Sequence, residues 1–132
     1  MEIIVYIIIL LILIFGIYII FIYNKPRKLT SKKIKDFQKK LKQIEVNISS
    51  KEKIIDYDKL YHKILLEAGY VGDFGSILKQ KPIIIDDLNK IWELHKIRNK
   101  LVHDFFDFDE NFLLNKQKVF LLEIKKLLDK LK

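Results

Sequence analysis

From Ile3 to Tyr23 the chain runs for 21 residues without a charged side chain. As a helix rising about 1.5 Å per residue, that run is about 31 Å long, close to the ~30 Å hydrocarbon core of a bilayer. A helix apolar on every side needs an apolar surrounding on every side. The roughly 110 residues that follow are enough for one domain with a modest single core. A membrane anchor over residues 1–23 is therefore the first expectation. The competing reading is a cleaved signal peptide, which calls for positive charge before the apolar run and small residues after it. Only Glu2 precedes the run, and Tyr23-Asn24-Lys25 follows it. Tyr6 and Tyr23 stand near its ends, where aromatic rings favour the interface. Gly16 has no small residue four positions away, so the span carries no close-packing dimer motif.

Orientation follows from charge. Lys25, Arg27, Lys28, Lys32, Lys33 and Lys35 crowd the C-terminal flank, which by the positive-inside rule belongs in the cytoplasm. The expected location is thus the cell membrane, single-pass, with a cytoplasmic C-terminal domain. A formal net charge of +8 would suit a nucleic-acid binder, but its location argues otherwise. Residues 24–53 carry 11 Lys and Arg against three acids, whereas residues 54–132 carry 14 against 13. The excess is juxtamembrane and fits attraction to anionic lipid. There is no cysteine, which removes disulfides and zinc–thiolate sites and suits a reducing compartment.

The remainder reads as helices. Pro26 ends the span and opens a linker. Thr30 or Ser31 can cap a first soluble helix to about Asn47, with Ile34, Phe37, Leu41 and Ile44 on one stripe. Ser49 with Glu52 forms a capping-box pattern for a second helix, which ends at Ala68 with Gly69 as a left-handed cap. The glycine-rich stretch Gly69–Gly75 superficially resembles a phosphate loop. No strand precedes it and no Lys-Ser/Thr follows, so it is read as a turn into a short helix, Ser76–Gln80. Asp86 or Asp87 caps a third helix through His103. Asp107 with Glu110 suggests a second capping box, opening a helix to the C-terminus. Ile83–Ile85 is too short to found a sheet. The expected fold class is all-α: an N-terminal transmembrane helix followed by an antiparallel four-helix bundle with short loops. The expected organisation is anchor 1–23, basic linker and first helix 24–48, and bundle 49–132.

The third helix is the informative one. Leu88, Ile91, Leu94, Leu101 and Val102 form a broad apolar arc, with Trp92 and Ile97 at its edges. Arg98 falls near the middle of that arc and His95 within it; Asn99 and His103 lie along one margin. So wide an arc exceeds the needs of one core, and a homodimer interface is the simplest second use. A guanidinium there needs partners, with Asp58 and Glu67 as candidates. The chain uses 23 Lys and two Arg, so an Arg at this place suggests planar, multi-donor binding that Lys cannot supply.

The segment Trp92-Glu93-Leu94-His95-Lys96-Ile97-Arg98-Asn99-Lys100-Leu101-Val102-His103 resembles the signature of HEPN domains, in which an Arg, often followed by Asn, precedes a His with four to six residues between them. Here four residues separate Arg98 and His103. The stretch from Asp58 through Tyr70, and the turn at Gly75, also look like small bacterial HEPN-like proteins, so that the resemblance spans about residues 50–130. It implies a homodimer whose Arg and His meet in a cleft between protomers and cleave RNA without metal or small-molecule cofactor. His103 would then transfer protons, Arg98 would hold the phosphorane, and Asn99 would position. Some toxin members carry a modified Tyr two residues after the His, where this chain has Phe105, so that regulation is not implied. The rival class is a non-catalytic dimerisation or partner-binding module that uses the same arc.

Two further clusters are read as structural. His95 and His103 stand two turns apart, about 12 Å along the axis, and cannot share one ion. Asp104, Asp107, Asp109 and Glu110 are read as cap and first-turn charge.

Overall fold

A computed structural model describes residues 1–23, 25–47, 49–103 and 107–132. The Tyr23 side chain, Phe105 and Asp104 lie outside the described residues. Among those described, every regular element is helical: α1 (Glu2–Tyr23), α2 (Ser31–Glu45), α3 (Ser50–Glu67), α4 (Phe74–Lys79), α5 (Leu88–His103) and α6 (Glu110–Lys130). α1 is long and apolar enough to cross a membrane, and no part of its apolar window is buried against the rest of the chain.

The helix starts are set by short polar side chains that accept from orphan backbone N–H groups. Thr30, rather than Ser31, caps α2 through the N–H of Lys33. Ser49 caps α3 through Glu52, but the Glu52 carboxylate turns to Asn47, so the capping box is only half made. Asp87 accepts from the N–H of Lys90 at the start of α5, leaving Asp86 to pair with Lys130. Asp109 accepts from the N–H of Phe112, so it, and not Asp107, opens α6. The short helix begins at Phe74 rather than Ser76, because Asp73 accepts from both the backbone and the hydroxyl of Ser76.

The long helices of the bundle, α2, α3, α5 and α6, alternate in direction. Asp86–Lys130, Lys90–Glu123 and Glu93–Lys116 pair across α5 and α6 in opposite order. α3 and α6 run the same way: Ser50 Oγ donates to Glu110, and Tyr57 and Tyr61 both pack on Phe120 with ring centroids 6.1 Å apart. These two helices meet across the bundle, and Phe120 is fully buried between them. α2 belongs to the same core through Ile34, Phe37 and Leu41.

The linker is docked rather than free. Arg27 N–H donates to the Ala68 carbonyl and Leu29 N–H to the Leu131 carbonyl, each at 2.8 Å. The bundle therefore has two poles. The anchor-side pole gathers the start of α2, the ends of α3 and α6, and the start of α5. The far pole gathers the end of α2, the starts of α3 and α6, and the end of α5.

Candidate functional site

α3 and α5 cross where Asp58 faces His95 and Arg98. Leu60, Tyr61 and Ile64 on α3, and Ile91, Leu94 and Ile97 on α5, are buried in the common core. Their burial fixes the rotation of both helices, and that rotation brings Asp58 to within reach of α5. Asp58 is only 4% exposed. An acid so placed has to be paired and hydrogen-bonded.

Four side chains close a ring. His95 Nδ1 lies 2.9 Å from Asp58 Oδ1, Asn99 Nδ2 lies 3.3 Å from His95 Nε2, and Arg98 Nη1 lies 2.9 Å from Asn99 Oδ1. Arg98 Nε lies 3.6 Å from Asp58 Oδ2, an ion pair too long to be a hydrogen bond.

The donor directions follow from the arginine. A guanidinium only donates, so Asn99 must offer it the amide oxygen. The Asn99 amide nitrogen then faces His95 Nε2, which must accept. The imidazole proton therefore sits on Nδ1 and donates to Asp58. Each hydrogen bond of the ring depends on the orientation of the one before it, and the guanidinium is oriented as a consequence.

The ring is only partly shielded. The side chains of His95 and Arg98 are 12% and 23% exposed. Phe74 packs edge-on against His95 with centroids 4.7 Å apart, and Trp92 stands 6.1 Å away on the other side. Gly75 faces the same two rings. His62 stacks on Phe74 and reaches the Gly72 carbonyl at 2.9 Å. Beside this wall, the hydrogen bonds from Ser76 hold the Asp73 carboxyl below the usual carboxylate range.

Of the residues singled out from sequence, Arg98 and Asn99 belong to the ring. His103 lies on the last turn of α5, exposed, on the stripe that continues from His95 through Asn99. His103 lies five positions after Arg98, about 7.5 Å along the helix and about 140° around it. Of the two candidate partners for Arg98, Asp58 is the one used; Glu67 pairs with Lys33 near the anchor-side pole. The role of His95 was not legible: its partner lies 37 positions away, and helical periodicity shows only that His95 is on the inner arc. Among the described residues, no three His, Cys, Asp or Glu side chains gather as a metal site. The chain matches no protein-family model, no curated protein and no solved structure.

Proposed function

We propose that this protein is a HEPN-like ribonuclease tethered to the cell membrane by α1, its bundle in the cytoplasm and its site shared between two protomers. The anchor reading is supported by the uncharged span without packing partners and by the cationic flank that follows it.

One observation carries the catalytic reading. The Arg98 side chain is 23% exposed, yet its guanidinium is oriented, with Nη1 on Asn99 and Nε toward Asp58. A guanidinium held in one orientation and still partly open has donors to offer a ligand. An anionic ligand fits those donors, and Arg, unlike Lys, presents the planar fork that a phosphate takes.

In the proposed reaction the RNA 2′-oxygen attacks the adjacent phosphorus and the bond to the 5′-oxygen breaks. His103 of one protomer takes the 2′ proton, and the departing 5′-oxygen takes a proton from water, to which the imidazolium returns its own. The products are a 2′,3′-cyclic phosphate and a 5′-hydroxyl. Arg98 holds the charge that develops on the phosphorane. Asn99, whose amide is engaged at both ends, positions Arg98 rather than the substrate.

The test is cleavage of RNA by the full chain in detergent with EDTA, compared with Arg98→Ala and His103→Ala. Each substitution is expected to lower the rate by at least about a hundredfold. No cleavage by the unaltered chain, or cleavage that survives both changes, would sink the proposal. A non-catalytic interaction module is favoured by one observation, the near balance of charge in residues 54–132, and is the reading left if cleavage is absent.

A further inference from the structure

We infer that the anchor-side pole of the bundle is itself a membrane-docking surface, which inserts Ile83 and Val71 among the lipids of an anionic bilayer. The inference rests on reading α1 as a bilayer span and goes beyond it, since a span alone leaves the domain free to hang from its tether.

The tether here has no slack. Tyr23 closes α1, and Arg27 is already hydrogen-bonded to Ala68 at the end of α3. Four Cα steps cover at most about 14 Å even when fully extended. The clip is doubled by Leu29 on Leu131 and by Lys28 Nζ on the Lys130 carbonyl at 3.0 Å. The pole that holds these contacts therefore stands within about 14 Å of the end of the span.

That pole is apolar where it protrudes. Ile83 is 64% exposed and Val71 78% exposed. They belong to two loops held together, since Gln80 Nε2 donates to the Val71 carbonyl at 3.1 Å. The second loop is pinned to the end of α6, where Lys130 donates to the Ile84 carbonyl. Lys81, two residues before Ile83, adopts a φ of 52°, a left-handed conformation that glycine or asparagine enters more readily. Lys25 and Lys28 of the linker, together with Lys81, bring cations to the same pole, where Asp86 is paired with Lys130. Exposed apolar tips beside lysines match an anionic bilayer surface, with acyl chains for the first and headgroup phosphates for the second.

The absence of cysteine makes the test direct. Single variants Ile83→Cys, Val71→Cys, Ile12→Cys and Val46→Cys of the full chain are spin-labelled and reconstituted in phosphatidylcholine vesicles containing phosphatidylserine. Collision with oxygen, which partitions into lipid, is compared with collision with a water-soluble nickel chelate. Labels at 83 and 71 are expected to favour oxygen, less strongly than the label at 12. The label at 46, at the far pole, is expected to favour nickel. The preference at 83 should weaken in phosphatidylcholine alone, and an unchanged preference there would overturn the role given to the lysines. A label at 83 as open to nickel as that at 46, while 12 reports lipid, would overturn docking and leave the anchor standing. A label at 83 shielded from both probes would mean a protein contact and also overturn it. A label at 12 open to nickel would remove the anchor, and the docking with it.

Discussion

Asp58 joins Ser50 and Glu123 as the polar or charged side chains buried among the described residues, and it serves two donors at once. One oxygen fixes the imidazole of His95 and the other faces the guanidinium of Arg98. Replacing it with the isosteric amide separates charge from shape. In Asp58→Asn the amide oxygen can still accept from His95, but the amide nitrogen then meets another donor at Arg98. Breaking a buried pair on one side costs about 3–5 kcal/mol, and the partial exposure of Arg98 brings the expectation down to about 2–3 kcal/mol. Glu67→Gln, which breaks the more open Lys33–Glu67 pair, is expected to cost less than about 1 kcal/mol. Urea unfolding midpoints of the full chain in detergent measure both. Equal costs would mean that the ring does not hold α3 to α5. Arg98 could be singled out because a lone Arg on an apolar arc is unusual in a lysine-rich chain. Its choice between Asp58 and Glu67 depends on how α3 rotates in the core, which no local pattern records.

At the scale of elements, the two glycines that bracket the loop into α4 play opposite parts. Gly69 has a φ of 101°, and a Cβ there would stand 3.3 Å from Arg27 Cδ, the residue that clips the linker to the end of α3. Gly69→Ala is therefore expected to destabilise by about 1–2 kcal/mol. Gly75 lies inside α4 without a positive φ, and its added Cβ would make ordinary contacts of 3.4 Å or more with Asp73, Trp92 and His95. Gly75→Ala is expected to stabilise by about 0.5–1 kcal/mol, the difference in helix propensity. Thermal unfolding of both variants checks the opposite signs; a loss of stability at both positions would place Gly75 in a tighter contact than the geometry gives. The left-handed role of Gly69 was legible because a glycine that closes an apolar periodic stretch has few other uses. Gly75 was read as part of the turn, since six residues are too few for periodicity to show that a helix has begun. The cap at Ser49 was legible for the same local reason that Gly69 was, whereas Asp86 and Asp87 stood as alternatives until Lys130 took Asp86. Asp107 misled because Asp109 offers the same cap two residues later, and only the docking of Glu110 on Ser50 decides where α6 starts.

The whole molecule separates its two interests. The ends of α3 and α6 and the docked linker make one pole, while α5 carries the stripe from His95 through Asn99 toward the other pole. The alternating directions of the four long helices were legible from short loops and helical spacing. The close parallel meeting of α3 and α6 was not, because it depends on Tyr57, Tyr61 and Phe120 filling the centre together. The same geometry decides how a composite site must work. Arg98 and His103 of one chain stand about 140° apart around α5, and the proposed shared site draws them from different protomers. In a two-fold dimer each site would then take Arg98 from one chain and His103 from the other. Mixing Arg98→Ala with His103→Ala chains should therefore restore activity that neither has alone. Random pairing makes half of the dimers mixed, and each mixed dimer has one intact site of two, so recovery should approach about a quarter of the unaltered rate. The mixture is assayed for RNA cleavage after joint reconstitution, with each variant alone as its control. Recovery near zero, with both chains shown to co-assemble, would mean that Arg98 and His103 act within one protomer or not at all.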